Sequence, residues 1–190
     1  MKTVKKLIVP FAAVIYMAAI SSCNILGGVL SGIEEINNEA EEIASGKVFT
    51  VDKGVVTYND GITFTFKDHG KTWKTEDEDE ITIVIDDKLY FIEKETASGY
   101  LYDYSEGYSG CPYIFWENLY KFGDRWGAEI KEGKATIAGK KCTVFTNEDG
   151  DQIAGWERVL FKDGDFEATS WSDKVPSDAF SVDKYELEEY

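Results

Sequence analysis

Thirty-six carboxylates, one histidine and three cysteines are the residues in this chain best suited to chemistry. With so many carboxylates some pair falls at the separation used in glycoside hydrolysis, and the sequence singles none out. The densest run, Glu76-Asp77-Glu78-Asp79-Glu80, invites a calcium reading, but it lacks the glycine and the alternating spacing of an EF-hand loop. The stretch TNEDGDQIAGWE, residues 146–157, departs from that order as well. A solvated hairpin or tight turn accounts for each. His69 lies in Lys67-Asp68-His69-Gly70-Lys71, an expected turn, and nucleophilic catalysis would need a serine or cysteine brought to it there. His69, Cys111 and Cys142 scarcely fill a zinc site. These residues nominate no catalytic site, no metal and no cofactor, and the chain reads as a binding protein, not an enzyme.

The remaining cysteine, Cys23, has a different setting. Met1-Lys2-Thr3-Val4-Lys5-Lys6 precedes an uncharged run over 7–19, and Ile20-Ser21-Ser22-Cys23 follows. Basic, apolar and small-residue segments in that order describe a secretory signal peptide. The apolar run is about 13 residues, short of the ~20 that cross a bilayer as a helix. The tetrapeptide ending at Cys23 resembles the lipobox of bacterial lipoproteins, a resemblance confined to this segment. It implies that Cys23 becomes the first mature residue and carries a diacylglyceryl thioether and an acylated amino group, since more than one chain makes a lipid anchor stable. The implied location is the cell envelope of a Gram-negative-type bacterium, anchored in the outer membrane and facing the periplasm or the surface. An ordinary signal peptide followed by a chance cysteine is the alternative.

Cleavage before Cys23 removes Lys2, Lys5 and Lys6 and no acid, taking the net charge from −16 to −19. So acidic a chain repels phosphate backbones, which excludes nucleic acid as a partner. The charge either keeps a tethered protein soluble or meets a cationic partner. Aromatic content of 14% with 17 glycines and three prolines argues for a globular, β-rich domain. Cys111 and Cys142 are then left together in a disulfide-permissive compartment. A bridge between them is expected, closing a loop of about 30 residues worth ~3–4 kcal/mol in the chain-entropy picture. Two buried thiols acting as small hydrophobes are the alternative.

The organisation read from the sequence is a signal peptide over 1–22, a lipidated cysteine and glycine-bearing tether over 23–32, and one domain over 33–190. Ser31-Gly32-Ile33-Glu34 has capping-box spacing, and Ile33, Ile36, Ala40 and Ile43 repeat helically with glutamates opposite, predicting an amphipathic helix that ends near Gly46. From Lys47 the period is two, in short runs separated by Asn-Asp-Gly, Asp-His-Gly and Asp-Asp-Lys turns, predicting antiparallel hairpins that begin with KVFTV, 47–51. Pro112 opens an expected mid-chain helix with Phe115, Leu119, Phe122 and Trp126 on one stripe. Strands return at 134–171, with Asp-Gly turns at Asp149-Gly150 and Asp163-Gly164. The expected class is α+β: a strongly curved antiparallel sheet, with an N-terminal helix and a mid-chain helix packed against it.

A second resemblance rests on GKATIAGKKCTVFT (133–146), GWERVLFKDGDFEATSW (155–171) and VPSDAFSVDKYE (175–186). These stretches resemble the closing strands of the outer-membrane lipoprotein carrier superfamily, the Lol-type half-barrels, and the resemblance spans roughly 33–185. It implies a half-barrel whose apolar concave face holds a lipid or an acylated ligand, each buried methylene giving ~0.8 kcal/mol. Candidate lining residues are Phe64, Phe66, Ile83, Phe91, Phe115, Leu119 and Trp156, with Arg158 nominated by charge alone. The competing reading is a non-catalytic envelope module that recognises protein or glycan through exposed aromatics. Tyr100, Tyr102 and Tyr104 are spaced to share a strand face, with Tyr108 and Tyr113 near them in sequence. An open apolar groove favours the carrier; a filled core with an exposed aromatic patch favours recognition.

The anchor is tested by Cys23→Ala. The variant should lose lipid labelling and move from the membrane to the soluble fraction on fractionation; pelleting with membranes after a salt wash would contradict the reading.

Overall fold

Left-handed two-residue turns divide the chain into hairpins. Asp86 and Asp87 take φ of 52° and 59°, Ala138 and Gly139 47° and 78°, and Glu157 and Arg158 52° and 69°. Two consecutive positive φ values match the right-handed twist of the flanking strands. At Gly164 (φ 62°) glycine takes the first central position, and Asp163 pairs directly with Phe166 across it. The computed structural model describes residues 48–104, 111–115 and 131–190. Its strands are β1 (Gly54–Tyr58), β2 (Thr63–Lys67), β3 (Thr72–Glu76), β4 (Glu80–Ile85), β5 (Lys88–Glu93), β6 (Ser98–Asp103), β7 (Lys131–Ile137), β8 (Lys140–Thr146), β9 (Gln152–Trp156), β10 (Val159–Asp163), β11 (Phe166–Ser172) and β12 (Glu186–Glu189).

They form one open sheet in the order β12-β6-β5-β4-β3-β2-β1-β11-β10-β9-β8-β7. Neighbours are antiparallel except β12, which runs parallel to β6. β11 divides its partners. Its first residues pair with β10 at Lys162↔Glu167 and Asp163↔Phe166, whereas Ala168 to Ser172 pair with β1. The first half of β10 is taken instead by residues 113–115: Leu160 N–H donates to the Tyr113 carbonyl (2.9 Å), Phe115 N–H donates to the Arg158 carbonyl (2.8 Å), and Ile114 bridges Val159.

This arrangement overturns the α+β expectation. Among the described residues the structure is almost wholly β, with a 3-10 turn at Asp68–Gly70 and helical backbone otherwise only at Tyr104 and Phe115. Residues 112–114 are not helical, because the backbone just after Pro112 is spent on the edge of β10. The rest of the expected mid-chain helix, 116–127, and the expected N-terminal helix lie outside the described residues. What holds of the half-barrel expectation is an open, mostly antiparallel sheet. The strand expected at 47–51 is also absent over its described part. Val48 and Phe49 N–H both donate to the His69 carbonyl (2.9 Å each), fixing that stretch against the turn before β3.

Two cross-strand rows build the inner face. One runs Gly54, Phe66, Trp73, Val84, Leu89 and Tyr102; the other runs Trp171, Val56, Phe64, Thr75, Thr82, Phe91 and Tyr100. Most of the first row and the start of the second join Ile137, Cys142, Val144, Ile153, Val159, Leu160 and Phe161 in the main core. The opposite face of β4 and β5, at Ile81, Ile83 and Ile92, forms a second cluster with Phe180. Val175, Ala179, Val182 and Tyr185 pack onto it from the segment between β11 and β12. Both faces of β4 are thus buried, which explains its nearly unbroken apolar run.

Phe180 is the large side chain of this cover. Phe180→Ala should cost about 3 kcal/mol in urea unfolding, and a loss under about 1 kcal/mol would mean that this segment does not close the outer face.

Candidate functional site

The side chains nominated as a ligand-lining set do not share one surface. Phe64 and Phe66 are fully buried: Phe66 lies 4.5 Å from the Phe49 ring, and Phe64 lies 4.7 Å from Tyr113. Phe115 is buried with its ring laid on Gly155, where a Cβ would collide with it. Ile83 belongs to the opposite face, since its register partner is Lys74 while Thr82 pairs with Thr75. Arg158 is buried in the β9–β10 turn, and Leu119 lies outside the described residues. Phe91 and Trp156 reach solvent, at separate places. The positions expected to line a groove are therefore largely occupied by one another.

The expected disulfide is not formed. Cys111 and Cys142 are both buried in the main core and are not set at bonding distance. Cys142 begins the inward row of β8, opposite Ala135, with its thiol toward the Lys140 carbonyl (3.7 Å). Burial pushes the Cys142 thiol up to about 11. Cys111 instead lies near the Tyr58 and Tyr113 phenols, whose pKa values burial raises first and Cys111 raises further.

The other chemistry-bearing residues serve the turns. Asp77 accepts from the N–H groups of Asp79 (2.9 Å) and Glu80 (2.7 Å), and these bonds hold its carboxyl below the usual range. Burial alone would raise the Glu76 carboxyl, but hydrogen bonds from Lys74 (2.8 Å) and Lys94 (3.1 Å) prevail and lower it. The acidic run is thus a hairpin turn with its own partners. His69 has Nδ1 3.1 Å from the Phe49 carbonyl and Nε2 3.8 Å from Asp52, so the ring ties residues 49–52 to the turn. Among the described residues no group of His, Cys, Asp and Glu is arranged to hold a metal ion.

A surface emerges where the inner rows run out toward β12. Burial falls along the second row from Phe64 through half-buried Thr75 and Thr82 to Phe91 and Tyr100, which are 36% and 42% exposed. Tyr190, just past β12, is 78% exposed. Its ring stacks on Tyr102 at 5.6 Å and meets Tyr100 edge-on at 5.3 Å, and Tyr102 meets Phe91 edge-on at 5.9 Å. Alternation along β6 puts Tyr100 and Tyr102 on this face, as their spacing predicts, whereas Tyr104 lies past the end of β6 and packs against the main core. Gly99 between β5 and β12 permits it, because a Cβ there would collide with the Phe91 carbonyl. Tyr113 is buried in the core instead, and Tyr108 lies outside the described residues. A cleft of about 630 Å³ adjoins the strip, where Glu80, Glu93, Glu186 and Glu188 meet Phe91 and Tyr100. All four carboxylates are exposed, and among the described residues none is ion-paired. Tyr190 was the residue of this strip that sequence reasoning missed; its place depends on β12 returning beside β6, which no periodicity signals.

Set against models of known protein families and against curated proteins, the chain matches none. Among the described residues no helix is long and apolar enough to cross a membrane.

The cysteine assignment has a direct check. At pH 8, below the raised Cys142 value, the native protein should alkylate slowly at both cysteines, and never-reduced protein should label fully at both once unfolded. Unfolded, unreduced material with no reactive thiol at Cys111 and Cys142 would contradict it.

Proposed function

We propose that the chain is a non-catalytic recognition module of the cell envelope, tethered through Cys23, that holds a basic, extended protein segment along its β12 edge. The observation that carries this reading is the coincidence, at one sheet edge, of the tyrosine strip and four carboxylates without ion-pair partners among the described residues. Each part has a distinct physical role. β12 is an edge of the sheet, so it can add a strand by backbone hydrogen bonds. Tyr100, Tyr102 and Tyr190 offer large amphipathic area at low cost in side-chain entropy. Glu80, Glu93, Glu186 and Glu188 favour lysine and arginine in the incoming segment, and the net charge of −19 that follows cleavage before Cys23 steers such a segment toward the protein. Acyl carriage, which the half-barrel resemblance implies, fits less well, because Phe64, Phe66 and Phe115 pack against protein instead of facing a cavity.

Fluorescence anisotropy with labelled extended peptides tests the proposal. A peptide alternating lysine with β-branched residues should bind, weaken as salt rises, and lose about tenfold in affinity with either Tyr100→Ala or Glu188→Lys. Binding unaffected by both substitutions, or equal binding of a glutamate-substituted peptide, would overturn it; saturable binding of a long-chain fatty acid in place of the peptide would return the carrier reading.

A further inference from the structure

The tyrosine edge uses neither Trp156 nor Trp171, although these two indoles form an aromatic corner at the surface. They meet edge to face at 5.0 Å and 75°. Phe161 backs both, at 6.1 and 6.0 Å, and Phe66 supports Trp171 at 6.1 Å. Trp171 lies across Gly54, where any Cβ would collide with its six-membered ring. The pair is therefore packed from beneath yet only half-buried, and it walls an open pocket of about 650 Å³.

The charge around that pocket departs from the rest of the chain. Lys53, Lys140 and Lys174 line it with Asp52 and Asp173, a local excess of cations on a protein of net charge −16. Among the described residues none of the three lysines is ion-paired. Lys140 is held by the aromatic corner itself, with Nζ 4.2 Å from the Trp156 ring and 5.2 Å from the Trp171 ring. A cation–π contact fixes an ammonium without neutralising it, so Lys140 presents a positioned, unspent charge at the mouth of an aromatic pocket. The Asp52 wall is fixed too, because the His69 N–H donates to the Asp52 carbonyl at 2.9 Å.

We infer that the Trp156–Trp171 pocket is a second binding site, and that it takes a sugar ring bearing a carboxylate. The half-buried indoles supply an apolar wall for the C–H groups of a pyranose, and the volume falls in the range of small-ligand pockets. Lys140, with Lys53 and Lys174 at the rim, pairs with the single carboxylate. Asp52, Asp173 and the Ser172 hydroxyl hydrogen-bond ring hydroxyls. A neutral sugar would leave the lysines unused. A dianionic phosphate would meet the two aspartates as like charges, and an aromatic acid would leave them without donors. A monocarboxylated sugar satisfies all three groups of side chains.

Titration of the full mature protein with tri-galacturonic acid, followed by tryptophan fluorescence and calorimetry, is the test, with the methyl ester of the same trisaccharide and inorganic phosphate as comparators. The acid should shift the emission and bind saturably, the ester should bind about tenfold more weakly, and Lys140→Met should remove most of that difference while leaving the melting temperature unchanged. Gly54→Ala, which displaces the Trp171 ring, should weaken acid and ester alike. No binding of the acid below about 10 mM overturns the site. Equal binding of acid and ester overturns the carboxylate assignment, and phosphate competing as well as the acid overturns the requirement for a ring.

Discussion

The wedge formed by residues 113–115 is the constraint on which the rest of the sheet depends. By taking up the backbone groups at the start of β10, it leaves β11 only two residue pairs with that strand and directs the remainder of β11 to β1. Tyr58 holds the junction from within. Its hydroxyl donates to the Leu160 carbonyl at 2.8 Å, and its ring is stacked between Phe166 at 4.2 Å and Tyr113 at 5.1 Å. Asn59 holds it from the rim, donating to the Asp165 carbonyl and accepting from the Glu167 N–H. A buried hydroxyl with a partner is stabilising, whereas the same group without one costs about 1–3 kcal/mol. Tyr58 is therefore both a core residue and the fastener between the two parts of the sheet.

Because β11 belongs to both parts, side chains from β1–β5 and from β8–β10 fill a single core. That packing accounts for the fate of the phenylalanines. Phe49, Phe64 and Phe66 meet one another and Tyr113, so the apolar side chains that the half-barrel resemblance would give to a ligand are used for packing. Interiors at this density leave little room for a guest without displacing side chains. The two proposed sites lie at places the fold does not need to fill: the end of the inner rows beside β12, and the corner where Trp171 of β11 meets Trp156 of β9. The two differ in charge, acidic at the first and lysine-rich at the second.

Much of this was legible in the residues. The hairpins follow from local turn chemistry at Asp86-Asp87 and Gly164, and the shared face of Tyr100 and Tyr102 follows from the two-residue period. What escaped depends on contacts distant in sequence. Pro112 before an apolar run has the local signature of a helix start, but the open edge of β10 supplies better partners for 113–115 than a local turn. Ile83 reads as an inward residue of one core because its sequence does not reveal the cover from Phe180 on the other side. Trp156 could be nominated alone; its meaning comes from Trp171, whose place requires both Gly54 and the exchange of partners along β11.

Hydrogen–deuterium exchange with and without a lysine-rich extended peptide tests the central claim most directly, since it reads which backbone groups a bound segment occupies. The account predicts new protection confined to the amides of β12 and Tyr190, with β7, the other edge of the sheet, unchanged. Protection at β7, or protection of core amides in β2 and β10 with none at β12, would contradict it.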